Sequence, residues 1–143
     1  MAFVLDCSVA MAWCFEDETD GYADWLLGTL DAVETVLVPS IWPIEMANVL
    51  VVGERRRRLS GIDTAQFLRL LDRLPIEVDA RSPYKAMQDV LAVARDYGIS
   101  AYDACYIELA IRTKLPLATL DSALRKVATR LGLIKVHSPA AKR

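Results

Sequence analysis

Four carboxylates stand where an isolated acid is expensive: Asp6, Glu45, Asp103 and Asp121. Asp6 ends the apolar run Phe3-Val4-Leu5, and Asp121 follows Leu117-Ala118-Thr119-Leu120. Glu45 and Asp103 lie near the starts of strongly apolar helical segments. Desolvating such groups is costly unless each is paired, protonated or bound to a cation. Brought together, they would make an all-oxygen site suited to Mg²⁺ or Mn²⁺. Other chemistries are poorly provided for. His137 is the only histidine, and Cys7, Cys14 and Cys105 lack C-x-x-C spacing. That excludes an ordinary zinc site and a histidine-activated nucleophile, and leaves the cysteines as small reduced core residues.

The elements that must position these acids alternate in type. Short β-type apolar runs occur at 2–5, 35–38, 76–78, 117–119 and 133–136, as expected of strands buried on both faces. Helical patterns cover 22–30, then 41–58 with Ser40 as cap and Pro43 in the first turn. Further helices are expected over 62–74, from Ser82-Pro83 to Tyr97-Gly98, over 103–112, and from Asp121-Ser122 to Leu131-Gly132. Such alternation predicts a mainly parallel sheet covered by helices on both faces. Asp6 and Asp121 then sit at the carboxyl ends of their strands. With right-handed crossovers, the helices starting near Glu45 and Asp103 also begin at that edge, where open α/β sheets bind ligands. The path of the two helices between the third and fourth strands does not follow from the pattern.

Each acid also has a plainer explanation. Asp121 suits a helix N-cap, Asp103 a first-turn acid favoured by the helix dipole, and Asp6 a turn after a strand. Glu45 shares a helical stripe with Ile41, Asn48, Val49 and Val52, which suggests a polar site or a satisfied structural pair. Convergence favours function: four uncompensated carboxylates would raise one another's pKa values, and a divalent cation removes that repulsion.

The 143 residues suit one domain, with hydrophobic residues at 54% and charged residues at 25%. There is no repeat, linker, membrane-length apolar stretch or basic leader, so one domain over 1–143, with a short tail from about 138, and a cytoplasmic location are expected. The net charge of −2 hides a basic block, Arg55-Arg56-Arg57-Arg58, placed on the Glu45 helix roughly 15 Å beyond that acid. It reads as a solvated C-terminal turn, a distant RNA contact or a partner interface. Arg81, Lys85 and Arg95 are surface charges or phosphate contacts. Trp13, Trp25 and Trp42 suit core or interface anchors better than a base-stacking platform, which makes a homodimer or an apolar partner plausible.

Four short motifs occur in order: Val4-Leu5-Asp6-Cys7-Ser8, the segment from Pro39 to Leu50 with Glu45 and Asn48 three apart, Ser100-Ala101-Tyr102-Asp103-Ala104-Cys105-Tyr106, and Ala118-Thr119-Leu120-Asp121. Together they resemble the motifs of PIN-domain ribonucleases. The likeness covers nearly the whole chain, and the size resembles VapC-like toxins of toxin–antitoxin pairs. The resemblance implies a three-layer α/β/α fold with a five-stranded parallel sheet of order 3-2-1-4-5. It implies Mg²⁺- or Mn²⁺-dependent cleavage of RNA phosphodiester bonds by an endoribonuclease. Asp6 and Asp103 would be the firmest metal ligands, with Glu45 and Asp121 completing the site directly or through water. Ser8, Asn48 and Thr119 would hold those ligands in place. A toxin homodimer and a small antitoxin covering the acidic site are also implied.

Two other functions compete. A non-catalytic RNA- or protein-binding module would retain the acids as caps and polar pairs. A phosphotransfer or dehalogenase-like protein would use Asp6 as nucleophile, but Asp6-Cys7-Ser8 lacks a second aspartate and no late-strand lysine is well placed.

Overall fold

Ala2–Leu5 forms the first strand, β1, and buries Phe3, Val4 and Leu5 completely. A strand covered on both faces needs no alternation of apolar and polar residues, and this one shows none. The computed structural model describes residues 2–32 and 35–137, so the tail expected from about 138 lies outside the described residues. Helix α1 (Cys7–Cys14) leaves β1 at once, followed by a 3-10 turn (Glu16–Glu18) and α2 (Gly21–Thr29). The Asp20 carboxylate caps α2 by accepting from the N–H groups of Tyr22 and Ala23.

The chain returns as β2 (Thr35–Val38), α3 (Trp42–Arg55), α4 (Gly61–Arg73) and β3 (Ile76–Val78). It then forms α5 (Pro83–Tyr97), α6 (Ala101–Thr113), β4 (Leu117–Ala118) and α7 (Ser122–Arg130). The starts and stops are chemically legible. Ser60 and Asp63 form a reciprocal capping box, a device worth about 1 kcal/mol. Pro83 sits in the first turn of α5, and Gly98 ends that helix at φ 63°, a left-handed conformation that suits a residue without a Cβ.

All strand pairs are parallel, in the order β3-β2-β1-β4. The expected fifth strand is reduced to one parallel bridge, Leu117 to Ile134, flanked by Leu117 N–H donating to Leu133 O and Lys135 N–H donating to Leu117 O. Its place beside β4 agrees with the order 3-2-1-4-5, but β4 spans only two residues and offers it little to pair with. Between the third and fourth strands, α5 and α6 pack on each other, and α6 also lies against β1. The core runs from Phe3, Leu5 and Val36 through Leu26 and Leu50 to Ile107, Leu109, Leu117 and Leu124. Each such fully buried side chain contributes about 1.5–3 kcal/mol. No helix among the described residues is long and apolar enough to cross a membrane.

Three local expectations are corrected. Helix α1 escaped the periodicity reading because it is apolar on most of its circumference. Ser40 does not cap α3; the cap position falls to Ile41, which has helical backbone angles and makes no side-chain cap bond. The same helix stops at Arg55 rather than at 58, and Arg57 takes the left-handed conformation at φ 58°. Arg58 therefore turns back, donates to Asp17 at 2.9 Å and stacks over Phe15 at 4.0 Å.

A carboxylate edge above the central strands

Parallel pairing of Leu5 with Ala118 brings the residues after β1 and β4 level, so Asp6 and Thr119 are neighbours. Asp6 is 5% exposed, and its Oδ2 accepts from Ser8 Oγ at 2.6 Å and Thr119 Oγ1 at 2.8 Å. Both hydroxyls are themselves aimed. Leu120 N–H donates to Ser8 Oγ at 2.9 Å, and Asp121 N–H donates to Thr119 Oγ1 at 3.0 Å. Arg125 donates to the carbonyl of Thr119 at 3.0 Å and pins the end of β4. Ser8 and Thr119 thus both hold Asp6 in one orientation.

Glu45 enters from the first turn of α3, which follows β2 at the same edge. A contact between Cys7 Sγ and Met46 Sδ at 3.2 Å ties the start of α1 to that turn. Asp103 enters from the first turn of α6, capped by Ser100 Oγ, which accepts from Asp103 N–H at 3.1 Å. Asp121 is exposed and is the N-cap of α7, with its Oδ1 accepting from Leu124 N–H at 2.9 Å. Asn48 is exposed on α3 and joins none of these bonds.

Electrostatics link the four acids. Burial pushes the Asp6 carboxyl up, the hydroxyls of Ser8 and Thr119 oppose that rise, and the charge of Asp121 adds to it. Burial raises Glu45, against a hydrogen bond from Tyr106, and the charges of Asp6 and Asp103 raise it further. Burial raises Asp103 as well, with Asp121 adding repulsion. None of the ion pairs among the described residues involves any of the four. Carboxylate oxygens suit a hard divalent cation, which would offset the mutual repulsion of these acids. As placed, however, no group of three or more His, Cys, Asp or Glu side chains among the described residues is arranged to hold a metal ion. The acids are electrostatic neighbours rather than a closed coordination shell.

One member of the cluster escaped the sequence reading. Tyr106, 1% exposed, donates its hydroxyl to Glu45 Oε1 at 2.5 Å. It closes the third motif, and its position three residues after Asp103 places both on one helical face. Burial and the Glu45 carboxylate keep its phenol protonated well above the ordinary range. Arg81 is corrected in the other sense. It lies in a buried network with Glu108, Asp79 and Asp89 and is not free for phosphate. The cysteines are free thiols, with Cys7 pushed up to about 12 and Cys14 to about 11 by burial.

The parallel α/β sheet with acids at its carboxyl edge agrees with a nuclease-type fold. The PIN domain family model matches residues 3–130, and the chain belongs to the PIN-domain family. Among solved structures it is similar to PAE2754 from Pyrobaculum aerophilum, with a TM-score of 0.67 and 20% identity. That match covers 92% of this chain and 96% of the other, and at this identity it bears on the fold alone. No curated protein matches the chain.

Proposed function

We propose that the chain is a Mg²⁺- or Mn²⁺-dependent endoribonuclease acting as the VapC-like toxin of a toxin–antitoxin pair. The observation that carries this reading is the gathering of four carboxylates from four chain segments at one sheet edge, with no lysine or arginine among the described residues paired to them. Structural acids in a folded interior are normally paired, so an unpaired cluster is a place for a ligand of opposite charge.

In this reading Asp6 and Asp103 are the principal metal ligands, and Glu45 and Asp121 complete the site. A divalent cation held there would polarise a phosphoryl oxygen and lower the pKa of a bound water. The residues do the rest. Ser8 and Thr119 fix the Asp6 carboxylate, so little reorganisation is needed as charge develops on the phosphate. A carboxylate with a raised pKa, such as Glu45, is suited to accept the proton of the attacking water. Asp121 spends one oxygen on its cap and keeps the other for the site.

Exposed apolar side chains support protein partners, an antitoxin and a second copy of the chain. Tyr84, Met87 and Leu91 line one face of α5, and Leu68 borders a cavity of about 560 Å³ between α3 and α4. The whole of 1–143 acts as one cytoplasmic domain in this account. The test is RNA cleavage by the purified, partner-free chain with Mg²⁺, with Mn²⁺ and with chelator. Cleavage that survives chelation rejects the reading. The second reading, a non-catalytic RNA- or protein-binding module, draws on the open spacing of the four acids. It predicts RNA binding without cleavage and no change of melting temperature on adding Mn²⁺.

A further inference from the structure

We propose that Tyr106 is a positioning residue for the acidic edge, orienting Glu45 toward a divalent cation, an inference that rests on the metal-dependent reading above. Glu45 is a long, half-buried side chain with no ion-pair partner among the described residues. Left alone, such a side chain samples many rotamers, and each ligation event would have to select one. The Tyr106 hydroxyl removes that freedom by donating to Oε1 at 2.5 Å. A bond from a hydroxyl to a carboxylate is among the stronger hydrogen bonds. It commits one lone pair of Oε1 and leaves Oε2 facing other partners.

The clamp is rigid because its base is rigid. Tyr106 is 1% exposed, packed in the core with Ile107, Leu109 and Ala110 of the same helix. With the residue this deeply buried, Glu45 is the side chain its hydroxyl meets. The helix that carries it also carries Asp103 one turn earlier, on the same face. Helix α6 therefore sets two acids at once: Asp103 directly and Glu45, from α3, through Tyr106. A bond across 61 residues of sequence keeps the spacing of two candidate ligands independent of solvent.

A buried phenol also needs an acceptor for plain structural reasons, so the test must separate positioning from packing. Mn²⁺ affinity, read by electron paramagnetic resonance without RNA, is compared in wild type, Tyr106→Phe, Glu45→Ala and the double variant. Phenylalanine keeps the ring, and the melting temperature should stay close to that of wild type. Tyr106→Phe should weaken Mn²⁺ binding about 10–100-fold, the range for residues that orient a ligand. The double variant should bind no worse than Glu45→Ala, because the tyrosine acts only through that carboxylate. Unchanged affinity in Tyr106→Phe, or penalties that multiply in the double variant, overturn the proposal while leaving the metal reading intact. Wild type that binds no Mn²⁺ overturns both. Should Tyr106→Phe fail to fold, 3-fluorotyrosine labelling decides instead. Mg²⁺ should shift one fluorine resonance in wild type and none in Glu45→Ala, and equal shifts in both reject the clamp.

Discussion

Asp6 and Glu108 are equally buried, each 5% exposed, and they differ in everything around them. Glu108 accepts from Arg112 Nε at 2.8 Å and from Arg81 Nη2 at 3.0 Å. The same two arginines reach Asp79, and Arg81 also donates to Asp89 at 2.6 Å, so this polar cluster closes on itself. Asp6 accepts from two hydroxyls, and among the described residues no cationic side chain pairs with it. The consequences run in opposite directions. Pairing raises the Arg112 guanidinium further, through Glu108 first, and lowers the Asp89 carboxyl, through Arg81 first, so both favour their charged forms. Burial at the carboxylate edge moves Asp6, Glu45 and Asp103 toward their neutral forms. Burial alone therefore does not distinguish the two acids; the paired arginines of Glu108 do.

The comparison breaks most sharply at Asp6. Asp6→Asn should reduce RNA cleavage by at least about 100-fold while leaving the melting temperature equal or higher, because a repelled charge is removed. A cleavage assay and a melting curve on the same sample check both, and unchanged cleavage dissolves the contrast. Glu108→Ala should do the reverse. Arg81 and Arg112 would keep Asp79 and Asp89 as partners, so the loss should be about 1–2 kcal/mol of stability by denaturant unfolding, less than for a buried charge left wholly unpaired. A loss below about 1 kcal/mol would mean that solvent already screens the network.

A graded effect comes from pH. Asp6, Glu45 and Asp103 have folded pKa values above their unfolded ones, so the folded protein binds protons more tightly there. Their contribution to stability is full below the ordinary carboxylate value of about 4 and is lost as pH rises through the raised values. Melting in chelator should therefore weaken over that window, and Mg²⁺ or Asp6→Asn should flatten the fall. The lowered Asp89 works oppositely, its contribution being lost as pH falls through its folded value. A chelated protein that gains stability from pH 4 to 6 would contradict the edge account. The smallest effects are expected at the arginine block. Arg58→Ala should cost about 1 kcal/mol through Asp17 and Phe15, and Arg55→Ala less than about 0.5 kcal/mol.

Much of this was readable before any coordinates. Alternation of short apolar runs with capped helices implied a parallel sheet, and chain direction placed the ends of β1 and β4 and the starts of α3 and α6 at one edge. The Ser82-Pro83 start and the Gly98 stop of α5 were local signals, so local chemistry revealed them. The order of four short motifs pointed to the family before the match over 3–130. Helix α1 was hidden because an all-round apolar helix has no periodic face.

What tertiary structure decided was partnership. Nothing in the sequence assigns Arg81 to Glu108, or Arg58 to Asp17 and Phe15, because those contacts join residues whose separation carries no period, unlike the i,i+4 pair of Glu108 and Arg112. Nor does it pair Tyr106 with Glu45, or reduce the last strand to a bridge at Ile134. Patterns of side-chain polarity determine which elements form and which way they run, since burial is a property of single residues. Which charge meets which is a property of pairs. Pairs exist only once the elements that carry them have packed.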